Sequence, residues 1–202
     1  MARRARSAFT LIEVAVAAAI IAMLAAVTTP YLVGYLDKQR AQTTADQLAA
    51  VAAGIAAFAS AVKTAAAATS TTYPGFISEL TSQIPLNSQT WHNSCTQLAT
   101  GRFNATSTAT WSNNGPFLNF LIPQGGLQTP LGLIADSLTR GNATPVATTL
   151  SIRMPGIDTA AANLLDLIID GGDGAISGTL RLSNFTAGLV DVTYLVPVGA
   201  HC

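Results

Sequence analysis

The sequence predicts an α+β fold in which one long N-terminal helix, a membrane half followed by an amphipathic half, is packed on a small antiparallel β-sheet. Three observations lead there. Residues 9–29 form an apolar run whose only charge is Glu13. Beyond Pro30, the positions Leu48, Val51, Ile55, Phe58 and Val62 step by three, four, three and four, which is one stripe along a helix. Near the C-terminus, residues 175–182 and 189–196 read as two strands joined by a turn near Asn184 to Gly188. A chain of 202 residues accommodates a membrane segment plus one smaller domain.

Composition narrows the function classes. Half the residues are hydrophobic and only 10% are charged, against roughly 25% in an average protein, which argues against a disordered chain or a salt-bridged coiled coil. Ten basic and ten acidic residues cancel, which argues against a strongly basic nucleic-acid binder. Residues 73–202 hold four basic and seven acidic side chains, so no nucleic-acid partner is expected. Gly-x-Ser-x-Gly, phosphate-loop and His-Glu-x-x-His patterns do not occur, and neither a catalytic residue nor an enzyme is expected.

The chain opens on a basic head, residues 1–8, with Arg3, Arg4 and Arg6. The 21 residues from Phe9 to Thr29 follow, and as a helix they span roughly 30 Å, the thickness of a bilayer core. Basic residues before the run and none until Lys38 after it place the amino terminus in the cytoplasm and everything from Tyr31 onward outside. The apolar run is too long for an ordinary cleaved signal, and a plain signal anchor is the simpler alternative. Glu13 sets the chain apart from that alternative, because a carboxylate in an apolar helix costs up to roughly 3 kcal/mol at mid-bilayer and calls for a partner. Snorkelling to the headgroups is the competing account of it. Seven alanines in the span make a slim surface suited to close helix packing.

Pro30 is expected to bend or interrupt the helix, since proline lacks the N–H and clashes with the carbonyl four residues back. The amphipathic continuation, residues 30–66, is expected to end near Ala66. A globular part, residues 67–202, follows. Turn chemistry at Tyr73-Pro74-Gly75 precedes a short helix at Phe76 to Thr81. Residues 91–114 are polar and predict loops with one or two short strands. Residues 116–132 are apolar but broken by Pro and Gly. A strand is expected over 145–153, then a helix over 158–169 capped by Asp158 or Thr159 and stopped by Gly171-Gly172-Asp173-Gly174.

The string Ser7-Ala8-Phe9-Thr10-Leu11-Ile12-Glu13-Val14 resembles the cleavage motif of type IV prepilins and type II secretion pseudopilins. The resemblance is specific from Ala8 to about Val62, and implies a type IV pilin-like fold for the whole. It implies that a prepilin peptidase and N-methyltransferase cuts between Ala8 and Phe9 and methylates the new amine of Phe9. It further implies that the helix rests in inner-membrane lipid until an assembly platform and ATPase draw it into a filament with other pilin-like subunits. There Glu13 would neutralise the Phe9 amine of a neighbour. Two positions depart from the family pattern: Ala8 stands where glycine is usual before the cut, and Ala22 where a glycine is frequent. The function so implied is a structural subunit of a type II secretion pseudopilus, serving protein secretion. The alternatives are a type IV pilus subunit, for adhesion, motility or DNA uptake, and a signal-anchored periplasmic binding protein. A weaker likeness extends to Gly115-Pro116-Phe117 and to residues 166–174.

Four further groups invite chemistry. Cys95 and Cys202 are the only cysteines, and outside the cytoplasmic membrane a single disulfide between them is expected. His92 and His201 beside them suggest zinc, but adjacent His-Cys is poor chelate spacing. Asp166, Asp170 and Asp173 are a candidate calcium set with loop carbonyls, although Asp-Gly turns and a helix cap account for the same residues; no other metal or cofactor is expected. Asn104, Asn142 and Asn184 begin Asn-x-Thr triplets read as chance, and Trp91 and Trp111 are expected in the core rather than on a binding surface.

Overall fold

A computed structural model describes residues 10–62, 73–82, 105–140 and 148–198. The first element, α1, runs from Leu11 to Ala61, 51 residues without a break. The chain divides into two units, the residues up to Gln39 and those from Arg40 onward. In the first unit every described side chain is exposed, Leu11 by 89% and Met23 by 72% among them. This apolar helix lacks a core of its own, and it is long and apolar enough to cross a membrane.

Pro30 lies inside α1 and does not interrupt it, against the expected break. In the turn before it, Thr28 Oγ1 donates to the Leu24 carbonyl at 3.0 Å and Thr29 Oγ1 donates to the Ala25 carbonyl at 2.6 Å, so both hydroxyls are satisfied within the helix. The expected helix end near Ala66 lies outside the described residues; helical bonding is seen as far as Val62 N–H to Phe58 O.

In the second unit the predicted stripe is fully buried: Leu48, Val51, Ile55, Phe58 and Val62 are each at 0% exposure. Gly54 lies on the same face, where a Cβ would meet the Leu118 side chain at 3.0 Å. Phe58 meets Phe117 edge-on, with ring centroids 5.3 Å apart. A short 3-10 turn, Ile77–Leu80, is buried throughout. It brings Glu79 inside, where Oε2 accepts from the Gly75 N–H at 3.0 Å and Oε1 has no hydrogen-bond partner among the described residues. Burial pushes the Glu79 carboxyl well above its ordinary value, and the nearby Asp136 carboxylate adds to the rise. Asp136 is itself tied to the turn through Ser78 N–H and Oγ, at 2.8 and 2.9 Å.

Helix α2, Ala105–Asn114, replaces the loops and strands expected in the part of 91–114 that is described. Its sequence is almost all Thr, Ser, Ala and Asn, so no apolar period announces it; Trp111 anchors it instead. The indole N–H donates to the Glu79 carbonyl at 2.9 Å, and the ring meets Phe117 edge-on at 6.1 Å. Trp111 is thus half-buried against the core, as expected.

The sheets follow. Strands β1, Gly126–Gln128, and β2, Leu133–Ala135, form a small antiparallel pair, β1 lying within residues 116–132, read as an apolar piece broken by Pro and Gly. Gly126 sits at φ +121°, against the Ile134 carbonyl, where no Cβ fits. The main sheet has the order β3-β4-β6-β5, with all neighbours antiparallel: β3, Thr139–Arg140; β4, Thr149–Asp158; β5, Leu180–Thr186; and β6, Leu189–Pro197. Leu150, Ile152 and Met154 alternate inward on β4, and the next inward residue is Ile157, because Pro155-Gly156 inserts a bulge. A second bulge falls at Asn184-Phe185 on β5. Asp191 on β6 holds both, accepting from Asn184 Nδ2 at 2.8 Å and Gly156 N–H at 3.0 Å, with Arg153 at 3.3 Å. These donors, Asn184 first, keep its carboxyl below the usual range.

The hairpin turn between β5 and β6 is Ala187-Gly188, both at positive φ, the geometry that suits a two-residue hairpin. Helix α3, Thr159–Asp170, begins one residue after the Asp158 cap, whose Oδ1 accepts from Ala160 and Ala161 N–H at 2.9 and 3.1 Å. Its Leu165 and Ala162 are fully buried. A long N-terminal helix followed by a small antiparallel sheet is the α+β layout expected of a type IV pilin-like chain.

Candidate functional site

Two places carry chemistry that packing does not require: the head of α1 and the loop after α3. At the head, Thr10 and Glu13 form a reciprocal cap. Thr10 N–H donates to Glu13 Oε2 at 2.8 Å and Thr10 Oγ1 donates to the same oxygen at 2.9 Å, while the Glu13 N–H returns to Thr10 Oγ1 at 3.3 Å. This is the Thr-x-x-Glu capping box, which satisfies N–H groups that the first helical turn leaves open. The pattern is legible in the sequence as Thr10-x-x-Glu13, and neither a neighbouring chain nor snorkelling to the headgroups accounts for it. The carboxylate therefore has a partner within its own chain, held at the positive end of the helix. Thr10 engages Oε2 alone, and the group is fully exposed.

What such a head can do is set by where it sits. Ala8 and Phe9, the expected cut and methylation positions, lie outside the described residues, as does the basic leader. Cleavage there would create an amine on the residue just before the Thr10 cap. Glu13 is the one charged side chain on the exposed apolar face of residues 11–36.

The second place is the end of α3. Asp166, Asp170 and Asp173, spread over two turns and a loop, each bring a carboxylate oxygen to within 4.8 Å of the other two. Gly171, at φ +74°, caps the helix with its N–H on the Asp166 carbonyl. The backbone then curls back, and Leu180 N–H donates to Asp170 Oδ2 at 2.6 Å. Gly178, also left-handed at φ +71°, passes so near that a Cβ there would lie 2.6 Å from both Asp170 Oδ2 and Asp173 Oδ2. Asp166 is only 5% exposed, and its Oδ1 has no hydrogen-bond partner among the described residues. Burial raises its carboxyl above the ordinary value and the Asp173 and Asp170 charges add to that, while the Gly174 N–H opposes them. The curl also corrects the expected strand start at Ala175. Residues 175–179 turn around the carboxylates, Ile176 is 83% exposed, and β5 begins at Leu180.

Other expected site residues are not brought together in the described part. Cys95, Cys202, His92, His201, Trp91, Asn104 and Asn142 lie outside it. Asn184 is described, at φ +56°, and its amide is spent on Asp191.

Comparison with known proteins agrees with the head. Residues 3–29 match the prokaryotic N-terminal methylation motif, which is the prepilin signature of type IV pilin-like proteins. No curated protein and no solved structure matches the chain. The motif supports a structural, pilin-like or pseudopilin subunit anchored in a membrane, processed by a prepilin peptidase and assembled with other pilin subunits.

Proposed function

We propose that this chain, bearing the type IV pilin-like prepilin signature on a helix of membrane length, is a structural subunit of a type II secretion pseudopilus. The observation that carries the reading is the motif match over residues 3–29, ending where the apolar run ends. In this account the leader 1–8 stays in the cytoplasm and is cut at Ala8. Phe9 gains a methylated amine, and residues 9–29 hold the subunit in the bacterial inner membrane with the domain in the periplasm. An inner-membrane platform and its ATPase then lift the helix out of lipid into a bundle of like helices.

The physical argument for assembly is the exposed sheath. Leu11, Ile12, Ile21, Met23 and Leu24 are each more than half exposed on the isolated subunit, so the helix exchanges lipid contacts for helix contacts with little hydrophobic cost, and small residues let backbones approach. In that low-dielectric bundle an unpaired terminal amine is expensive and an opposite charge at a fixed depth sets the register. Glu13, already oriented by Thr10, is the group at that depth. Breaking such a buried pair from one side leaves a lone charge, which is why Glu13 is assigned an assembly role.

The same head serves type IV pilus subunits, and location separates the two. Cells are sheared, surface filaments are separated from envelopes, and secreted proteins are followed in a strain lacking this chain. A pseudopilus subunit stays with the envelope, and its loss traps secreted proteins in the periplasm. Abundant subunit in the sheared filaments with secretion intact would replace this reading with a pilus subunit.

A further inference from the structure

We propose that Tyr31, Tyr35 and Lys38 form a headgroup-binding face on α1 that holds an anionic phospholipid in the leaflet remote from the leader and fixes the depth of the helix. This face depends on the membrane placement of the apolar run proposed above, not on which filament the subunit joins. It lies beyond the matched motif, which ends at residue 29.

The exposed surface of α1 does not stop where the apolar run stops. Tyr31 is 78% exposed and Tyr35 59%, Leu32, Val33, Leu36 and Lys38 are exposed with them, and the first buried residue described is Ala41. Tyr31, Tyr35 and Lys38 step by four and three, so they lie within about 60° of one another around the axis. Leu24 and Val27 continue that stripe towards the leader, so one face reads apolar, then aromatic, then cationic. Lys38 is the first basic residue after Arg6, and Asp37 lies about 100° round the axis from it.

Depth gives this order its meaning. At about 1.5 Å per residue, Leu11 to Pro30 covers about 30 Å, the hydrocarbon thickness. Tyr31 and Tyr35 then fall about 1.5 to 7.5 Å beyond the hydrocarbon, inside a headgroup layer that adds about 5–7.5 Å on each side. A ring with a polar tip suits that layer. Lys38, about 12 Å out, lays its stem back along the helix and brings its ammonium to lipid phosphate. A second apolar helix on this face would leave two hydroxyls and an ammonium without water, which is costly at each; the headgroup layer supplies water and phosphate to all three.

The test uses the full chain in vesicles of equal parts phosphatidylglycerol and phosphatidylcholine. A photoreactive benzophenone amino acid is placed at Tyr35 in one sample and at Leu24 in another, and what each captures on illumination is identified by mass spectrometry. The Tyr35 probe captures lipid at the glycerol or headgroup, with phosphatidylglycerol favoured about fivefold, the effect of one cation near an anionic surface; the Leu24 probe captures acyl chains. Lys38→Gln removes the preference, Lys38→Arg keeps it, and high salt weakens it. The proposal is overturned if the Tyr35 probe captures acyl chains, a second copy of this chain, or no lipid while the Leu24 probe captures lipid, or if Lys38→Gln leaves the preference unchanged. Absence of lipid at both probes would overturn the membrane placement itself, and this face with it.

Discussion

Phe58 is the residue whose removal tests whether the second half of α1 is an integral part of the domain core. Its side chain is at 0% exposure and sits edge-on to Phe117 with centroids 5.3 Å apart at 62°. Truncating a buried phenylalanine costs about 3–5 kcal/mol, of which about 0.5–1.5 kcal/mol belongs to the aromatic pair. For a chain of this size that lowers the melting temperature by about 6–20 °C. The assay is thermal unfolding of Phe58→Ala in detergent, followed by tryptophan fluorescence, because the Trp111 ring also meets Phe117 edge-on. A double-mutant cycle with Phe58→Leu and Phe117→Leu measures the pair term separately. A loss below about 1 kcal/mol for Phe58→Ala would refute the claim that residues 40–61 of α1 form one wall of the core.

Two further outcomes follow from one charged group in each unit. Replacing Glu13 with Ala leaves the melt of the domain unchanged and removes the subunit from assembled filaments; normal filament levels in that variant would sink the assembly role. Glu79 titrates above its unfolded value, so the folded state holds the proton more tightly, and this group adds stability as pH falls from its raised value towards 4.5 and loses it as pH rises. Glu79→Gln removes that dependence: the variant gains on the parent as pH rises from 5 to 8, measured by paired urea melts, and parallel pH profiles would contradict the burial of Glu79.

Some of this architecture was legible in the sequence because one residue type at one spacing leaves few alternatives. The five-residue stripe on α1 could only be one helix face, and all five positions are fully buried. Asp158 reads as a cap because a carboxylate precedes a helical period, and it accepts two N–H bonds. What was not legible depends on contacts distant in sequence. Helix α2 has no apolar period and rests on Trp111 reaching Glu79. Strands β1 and β2 are three residues each, too short for an alternation to register. The start of β5 was misplaced because Ala175 and Ile176 look like strand residues, while the glycines on either side turn the chain around Asp170 and Asp173. At the candidate sites the pattern repeats. The acidic trio was visible as three aspartates, but the buried oxygen on Asp166 is a property of the fold. The capping box at Thr10 was visible in full and needed only the right motif.

The central claim is that this chain is cut and modified as a prepilin, and the amino terminus of the native protein tests it most directly. Envelope protein is purified from native cells and its N-terminal peptide is sequenced by mass spectrometry. The account predicts a chain beginning at Phe9 with an N-methyl group on its amine and no trace of residues 1–8. An intact leader from Met1 to Ala8 on the mature protein would contradict it and return the chain to a simple membrane anchor.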